Sequence, residues 1–237
     1  MSTPKMKTLG LIGGTSWHST VEYYQRINQA VNDHFGDNTN PPLVLFNLNQ
    51  SRVHRLQVED NWSGVADMLV DAGLRLQNAG AEAVIFCANT PHKMFELVSD
   101  QLDVPVLHIA DATAKAIHAE SLSKVCFIGT KFSMQEHFIT GRFAKHGIEA
   151  LVPEDDGTIE ELHRIIQKEL TFGKILPASK QFVLKTLNVL IDAGADGVVL
   201  GCTEFPLMIS DDDLPVPVFD TTKIHSTAAV DFVLSLK

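Results

Sequence analysis

The chain has 237 residues, 45% of them hydrophobic and 20% charged, with a net charge of −10 when histidine is neutral. That is ample material for a core, which excludes a disordered chain and leaves either one large domain or two smaller ones. Its 19 lysines and arginines form no basic run, against a nucleic-acid surface, and no apolar stretch nears the roughly 20 residues of a membrane span.

In chain order, short β-branched runs at 9–12, 43–47, 83–86, 104–109, 125–128, 197–200 and 216–219 predict strands. Amphipathic stretches at 21–34, 64–79, 93–102, 111–120, 134–146, 159–170, 179–193 and 225–236 predict the helices between them. Near-continuous apolar strands alternating with helices mark an α/β protein with parallel sheet buried on both faces. Residues 1–7 lead into a strand and not into a secretory leader. Three cysteines, an odd number, point away from a disulfide framework and toward a reducing, cytoplasmic setting.

An internal repeat organises the chain. Segment 76–92, LQNAGAEAVIFCANTPH, lies over segment 190–206, LIDAGADGVVLGCTEFP, at an offset of 114. The run 8–13 resembles 124–129 at an offset of 116, and 103–107 resembles 215–219 at 112. Three paired strands in one order predict two pseudo-symmetric parallel-sheet α/β domains, with a ligand site in the cleft between their strand ends. The expected boundaries are 1–108 with the C-terminal segment 215–237 for the first domain, and 109–214 for the second.

Four strand ends carry the candidate chemistry. Cys202 follows the run 197–201 just before Pro206, where backbone N–H groups and a helix start are expected to favour the thiolate. Thr203 and Glu204 stand beside it. The matching turn is Cys87-Ala88-Asn89-Thr90-Pro91-His92, where Asn89 or Thr90 can cap the next helix or bind a carboxylate. The repeat aligns Cys202 with Ala88 and Cys87 with Gly201. A one-residue shift at a strand end turns a side chain to the opposite face, so Cys87 can point away from the cleft. Thr15-Ser16 and Gly129-Thr130 offer hydroxyls and open backbone at the other two ends. Gly10–Gly14 lacks the GxGxxG spacing of a dinucleotide loop, and Cys126 reads as core. The ten histidines show no metal-ligand spacing, so no metal is expected, and His225 is a candidate acid–base or orienting group.

The segments GLIGGTSW (10–17), CANTPH (87–92), HIADAT (108–113), Gly129-Thr130 and GCTE (201–204) resemble the aspartate/glutamate racemase family of cofactor-independent amino-acid racemases, nearly end to end. The resemblance implies two α/β domains, a homodimer, a small amino-acid or carboxylate substrate and no cofactor. It also implies two thiols facing opposite sides of the substrate's α-carbon, one removing the α-proton and the other returning one. By that resemblance Cys202 and Cys87 are the catalytic candidates, and Thr15, Ser16, Asn89, Thr90, Thr130, Thr203 and Glu204 are the substrate-binding set. The chain departs from the family where Ala88 precedes Asn89-Thr90 in place of a cysteine. It is similar there to the subgroup with Thr at that position. Three solutions stand open: Cys87 swings in, a water or nearby side chain serves, or one thiol works alone, as in arylmalonate decarboxylases. The distal-carboxylate clamp also lacks a clean match, with Arg52, His54 and Arg55 near one position and Thr171 at the other. Amino-acid racemisation is therefore the expected function. The alternatives are a single-cysteine decarboxylase or isomerase of small dicarboxylic acids, and a non-catalytic carboxylate binder.

Overall fold

The computed structural model describes residues 5–236, so part of the stretch 1–7, expected to lead into a strand, lies outside the described residues. The chain divides into two compact units, one made of residues up to 108 together with 225 onward, the other of residues 109–224.

In the first unit β1 (Leu9–Gly13), β2 (Leu43–Asn47), β3 (Ala83–Phe86) and β4 (Val106–Leu107) form a parallel sheet in the order β2-β1-β3-β4. Strand alternation sorts its side chains. Leu9, Leu11, Ala83, Ile85 and Cys87 face a core supplied by α1 (Trp17–Phe35) and α10 (Thr221–Leu234). Ile12, Val84 and Phe86 face the opposite core, closed by α2 (Gln50–Val58), α3 (Trp62–Asn78) and α4 (Phe95–Ser99). Gly14 (φ 83°) lets the turn after β1 pass under the Leu48 backbone, whose carbonyl oxygen would lie 2.1 Å from any Cβ.

In the second unit α5 (Ile109–Ala119) leads into β5 (Lys124–Gly129), followed by α6 (Lys131–Gln135), α7 (Thr140–Lys145) and β6 (Glu149–Leu151). Then come α8 (Asp156–Lys168), α9 (Pro177–Asp192), β7 (Val198–Gly201) and β8 (Val218–Asp220), and the strand order is β6-β5-β7-β8. The sequence offsets reappear as sheet register. Gly10 pairs with Val84 as Cys126 pairs with Val198, and Val84 pairs with Val106 as Val198 pairs with Val218.

Differences from the expected elements have local causes. Strand β8 pairs with β7, so the second unit runs to Ile224, and the return to the first unit begins at His225, beyond the boundary expected at 214. The expected helix at 134–146 is two short helices separated at 136–139, where Glu136 adopts extended backbone (ψ 142°). Helix α2 and strand β6 were not expected, being short and weakly periodic. Among the described residues no helix is long and apolar enough to cross a membrane.

Candidate active site

Each functional turn stands at the C-terminal end of a strand, where the backbone leaves the ladder and its N–H and C=O groups seek new partners. In the second unit β7 ends at Gly201 and the chain turns through Cys202, Thr203 and Glu204 into a single 3₁₀ turn, Phe205–Leu207, with Pro206 in its first positions. The Cys202 thiol donates to Glu204 Oε2 at 2.8 Å, and the Thr203 hydroxyl donates to the same oxygen at 2.7 Å. Cys202 and Glu204 are buried, at 8% and 6% exposure, while Thr203 is half-buried.

This environment reverses the electrostatics expected for Cys202. Burial pushes the thiol well above its ordinary range, and the charge and hydrogen bond of Glu204 push it the same way. Backbone N–H groups of Glu204 and Thr203 pull it down, as the turn geometry suggested, but they are outweighed. The three-residue 3₁₀ turn has too few aligned peptides to supply a strong helix-end field. Cys202 is therefore a neutral thiol hydrogen-bonded to the Glu204 side chain.

In the first unit the equivalent turn runs from Cys87 to Thr90. Cys87 is fully buried, in the core formed with Leu11, Tyr23 and Ile85, and burial raises its thiol far above the ordinary range. Strand alternation sends it there: Ala83, Ile85 and Cys87 lie on one face. A second reason is volume. A Cβ at Gly201, the counterpart of Cys87, would lie 2.2 Å from the Phe127 ring, whereas the counterpart of Phe127 is the smaller Leu11. The Cys87 thiol thus occupies the room that an aromatic ring fills in the other unit.

Ala88, the counterpart of Cys202, is half-buried, and Asn89 and Thr90 follow it. Asn89 takes the N-cap position of the 3₁₀ turn Thr90–Met94 but makes no side-chain capping bond, contrary to one of its expected uses. Thr15, on the neighbouring turn, is 8% exposed, and its hydroxyl has no hydrogen-bond partner among the described residues. Ser16 caps α1, accepting from Ser19 N at 3.4 Å. Thr130 likewise caps α6, accepting from Ser133 N at 3.4 Å. Those two hydroxyls have plain structural work.

Other candidates are placed elsewhere. His225 is buried between Tyr23 and the Leu107 carbonyl, which leaves it no acid–base role on a surface turn. The Thr171 hydroxyl donates to the Ile166 and Gln167 carbonyls near the end of α8, and Cys126 is core. Arg52 and Arg55 are exposed on α2, and His54 of that helix bonds the Thr15 carbonyl at 3.2 Å. Among the described residues no group of three or more His, Cys, Asp or Glu is placed to hold a metal ion. Sequence reasoning missed the Cys202–Glu204 bond, although the i, i+2 spacing after a strand end was its signal. It also missed the clustering of His92, His108 and His225, which no spacing in the sequence announces.

The model of the family described as Asp/Glu/Hydantoin racemase matches residues 12–229. Among solved structures, a protein from Yersinia pestis is 40% identical, with a TM-score of 0.91, covering 97% of this chain and 100% of that one. An aspartate racemase homologue from Pyrococcus horikoshii OT3 is 35% identical, with a TM-score of 0.84, covering 96% of this chain and 99% of the other. A broad specificity amino-acid racemase from Bacillus subtilis is 21% identical over 168 residues, 70% of this chain and 71% of that relative. Glutamate racemases from Corynebacterium kroppenstedtii and Streptococcus suis are 27% and 28% identical over stretches that span 44% and 49% of their length.

Proposed function

The chain is an isomerase of the Asp/Glu/Hydantoin racemase family, and we propose that it moves the α-proton of a small amino acid through one thiol, Cys202, without a cofactor. The observation that carries this is the Cys202 Sγ–Glu204 Oε2 bond of 2.8 Å at the end of β7. An α-proton beside a carboxylate is weakly acidic, so its removal needs a strong, desolvated base and donors for the charge that grows on the carboxylate. Glu204 takes the thiol proton, the thiolate takes the proton from Cα, and the carbanion's charge spreads into the substrate carboxylate. The reverse sequence returns a proton from Cys202 to Cα and leaves Glu204 ready to restore the thiol. Glu204 thus acts through Cys202, a different role from the substrate contact expected of it.

Asn89, Thr90, Thr15 and Thr203 hold the amino acid in this scheme. The unpartnered, buried Thr15 hydroxyl is suited to it, because such a group is costly unless a ligand or water completes it. Ser16 and Thr130 shape their turns and line the site. Cys87 takes no part, being enclosed in the core. Water or a turn hydroxyl then serves the α-carbon face that Ala88 leaves without a thiol. Arg52 and Arg55 lie exposed on α2, and the substrate in this scheme is a small amino acid. We place the enzyme in the cytoplasm, as three buried free cysteines suit a reducing compartment, and as a homodimer after its family.

Exchange of the Cα proton in deuterium oxide, followed by NMR with L- and D-amino acids, tests the proposal. Exchange that vanishes in Cys202→Ser and persists in Cys87→Ser is the expected result, and absence of exchange from every amino acid overturns it. A single neutral thiol also suits protonation after decarboxylation, and carbon dioxide released from a malonate-type diacid would establish that second reading.

A further inference from the structure

The turn that carries Ala88, Asn89 and Thr90 leaves two carbonyls pointing back into the first unit. His92 Nδ1 lies 3.1 Å from the Ala88 oxygen and 3.1 Å from the Asn89 oxygen. Both partners only accept, so Nδ1 carries the proton and one N–H is shared between two carbonyls. The ring is 2% exposed and is held from several sides. Ring centres of Phe86, His108 and His225 lie 5.0, 4.6 and 5.7 Å away.

His225 is itself fixed. Its Nε2 faces the Leu107 carbonyl at 3.1 Å and so bears the proton, which leaves Nδ1 to accept from the Tyr23 hydroxyl at 2.9 Å. His108 packs edge-on against Phe95 at 4.5 Å. Helix α1, the ends of β3 and β4, and α10 therefore all contribute to the setting of one imidazole. Apolar rings would fill this space without having to suppress a charge. What an imidazole adds is the Nδ1–H donor.

We propose that His92 is a positioning residue: its shared hydrogen bond locks the Ala88–Asn89 backbone and so aims Asn89 and Thr90 at the substrate, with His108, His225 and Tyr23 holding the ring. The inference rests on the reading that Asn89 and Thr90 bind the amino acid. Loosening that turn weakens substrate binding while the proton transfer at Cys202 keeps its rate.

The test is steady-state Cα-proton exchange with L-aspartate, L-glutamate and L-alanine as probes. His92→Phe keeps the ring and removes the donor, and we expect KM to rise about tenfold or more with kcat within about threefold. His92→Asn returns a donor near the position of Nδ1 and is expected to recover most of the loss. An unchanged KM in His92→Phe, with only the melting temperature lowered, overturns the inference. Should His92→Phe fail to fold, 15N NMR of histidine in the wild type decides. A proton on Nδ1 of His92, with a shift that moves on adding the amino acid, supports the inference, and a proton on Nε2 alone overturns it. A wild type that exchanges none of the probes defeats the functional reading itself, an outcome distinct from exchange that is indifferent to His92.

Discussion

The ends of β3 and β7 are the same structure built twice, in the same sheet position and register, yet one reads Cys87-Ala88 and the other Gly201-Cys202. A single residue of displacement separates a packing thiol from one that bonds Glu204 at the turn. In the second unit Phe127 fills the core beside β7, and the glycine opposite it leaves the cysteine for the turn. In the first unit Leu11 leaves room that the Cys87 side chain takes, and an alanine falls on the turn. Each sulfur lies one residue beyond the last ladder pair of its strand, and neighbouring core volume helps decide which of them packs inside.

Replacing Cys202 by alanine would erase the chemical half of this asymmetry. Proton exchange at Cα should fall by about a thousandfold or more, read by deuterium incorporation, because the other two thiols are enclosed in the cores. Installing the missing group, Ala88→Cys, should work in the opposite direction. A thiol at the register counterpart of Cys202 is expected to raise exchange from the slower enantiomer by about a hundredfold, in the range of a positioned general acid or base. An unchanged ratio between enantiomers would show that the two turns are not functional counterparts.

Acidification probes the buried histidines of the first unit. His225 is held neutral by burial, its pKa pushed down to about 4, and burial also holds His92 well below the ordinary range. The unfolded chain takes up these protons first, near pH 6.5. Stability is therefore full above about pH 6.5 and falls as pH drops toward 4, by about 3 kcal/mol for His225. Denaturant unfolding at pH 7 and pH 4.5 should show the loss, and His225→Gln should reduce it to the part due to His92.

The smallest effects test the packing half. Cys87→Ala should cost about 1 kcal/mol of stability in chemical denaturation with exchange activity kept. Cys87→Gly paired with Leu11→Phe imitates the second unit. The pair should be more stable than the sum of its single variants by about 1 kcal/mol, whereas simple additivity would show that the two positions do not share one volume.

Much of this was open to sequence reading because it depends on near neighbours. The strands at 43–47 and 83–86 carry enough β-branched and apolar residues to be recognised with their limits, and the repeat offsets of 116, 114 and 112 are those of the sheet registers. Helix α2 and strand β6 escaped because each draws its order from the sheet or turn it packs against. The C-terminal boundary was read short because β8 is held by pairing with β7 and not by its own three residues.

For the candidate site, sequence by itself determined the fold class, the four strand-end turns and the place of Cys202 at one of them, since strand-to-turn transitions and a motif such as Gly-Cys-Thr-Glu are written in adjacent residues. Only the tertiary structure decided that Cys202 is a protonated thiol bonded to Glu204, that Cys87 is core, and that His92 supports the turn of Asn89. Those facts depend on burial and on contacts between segments far apart in the chain. Side-chain direction at a strand end, and the dielectric around it, are properties of what packs there.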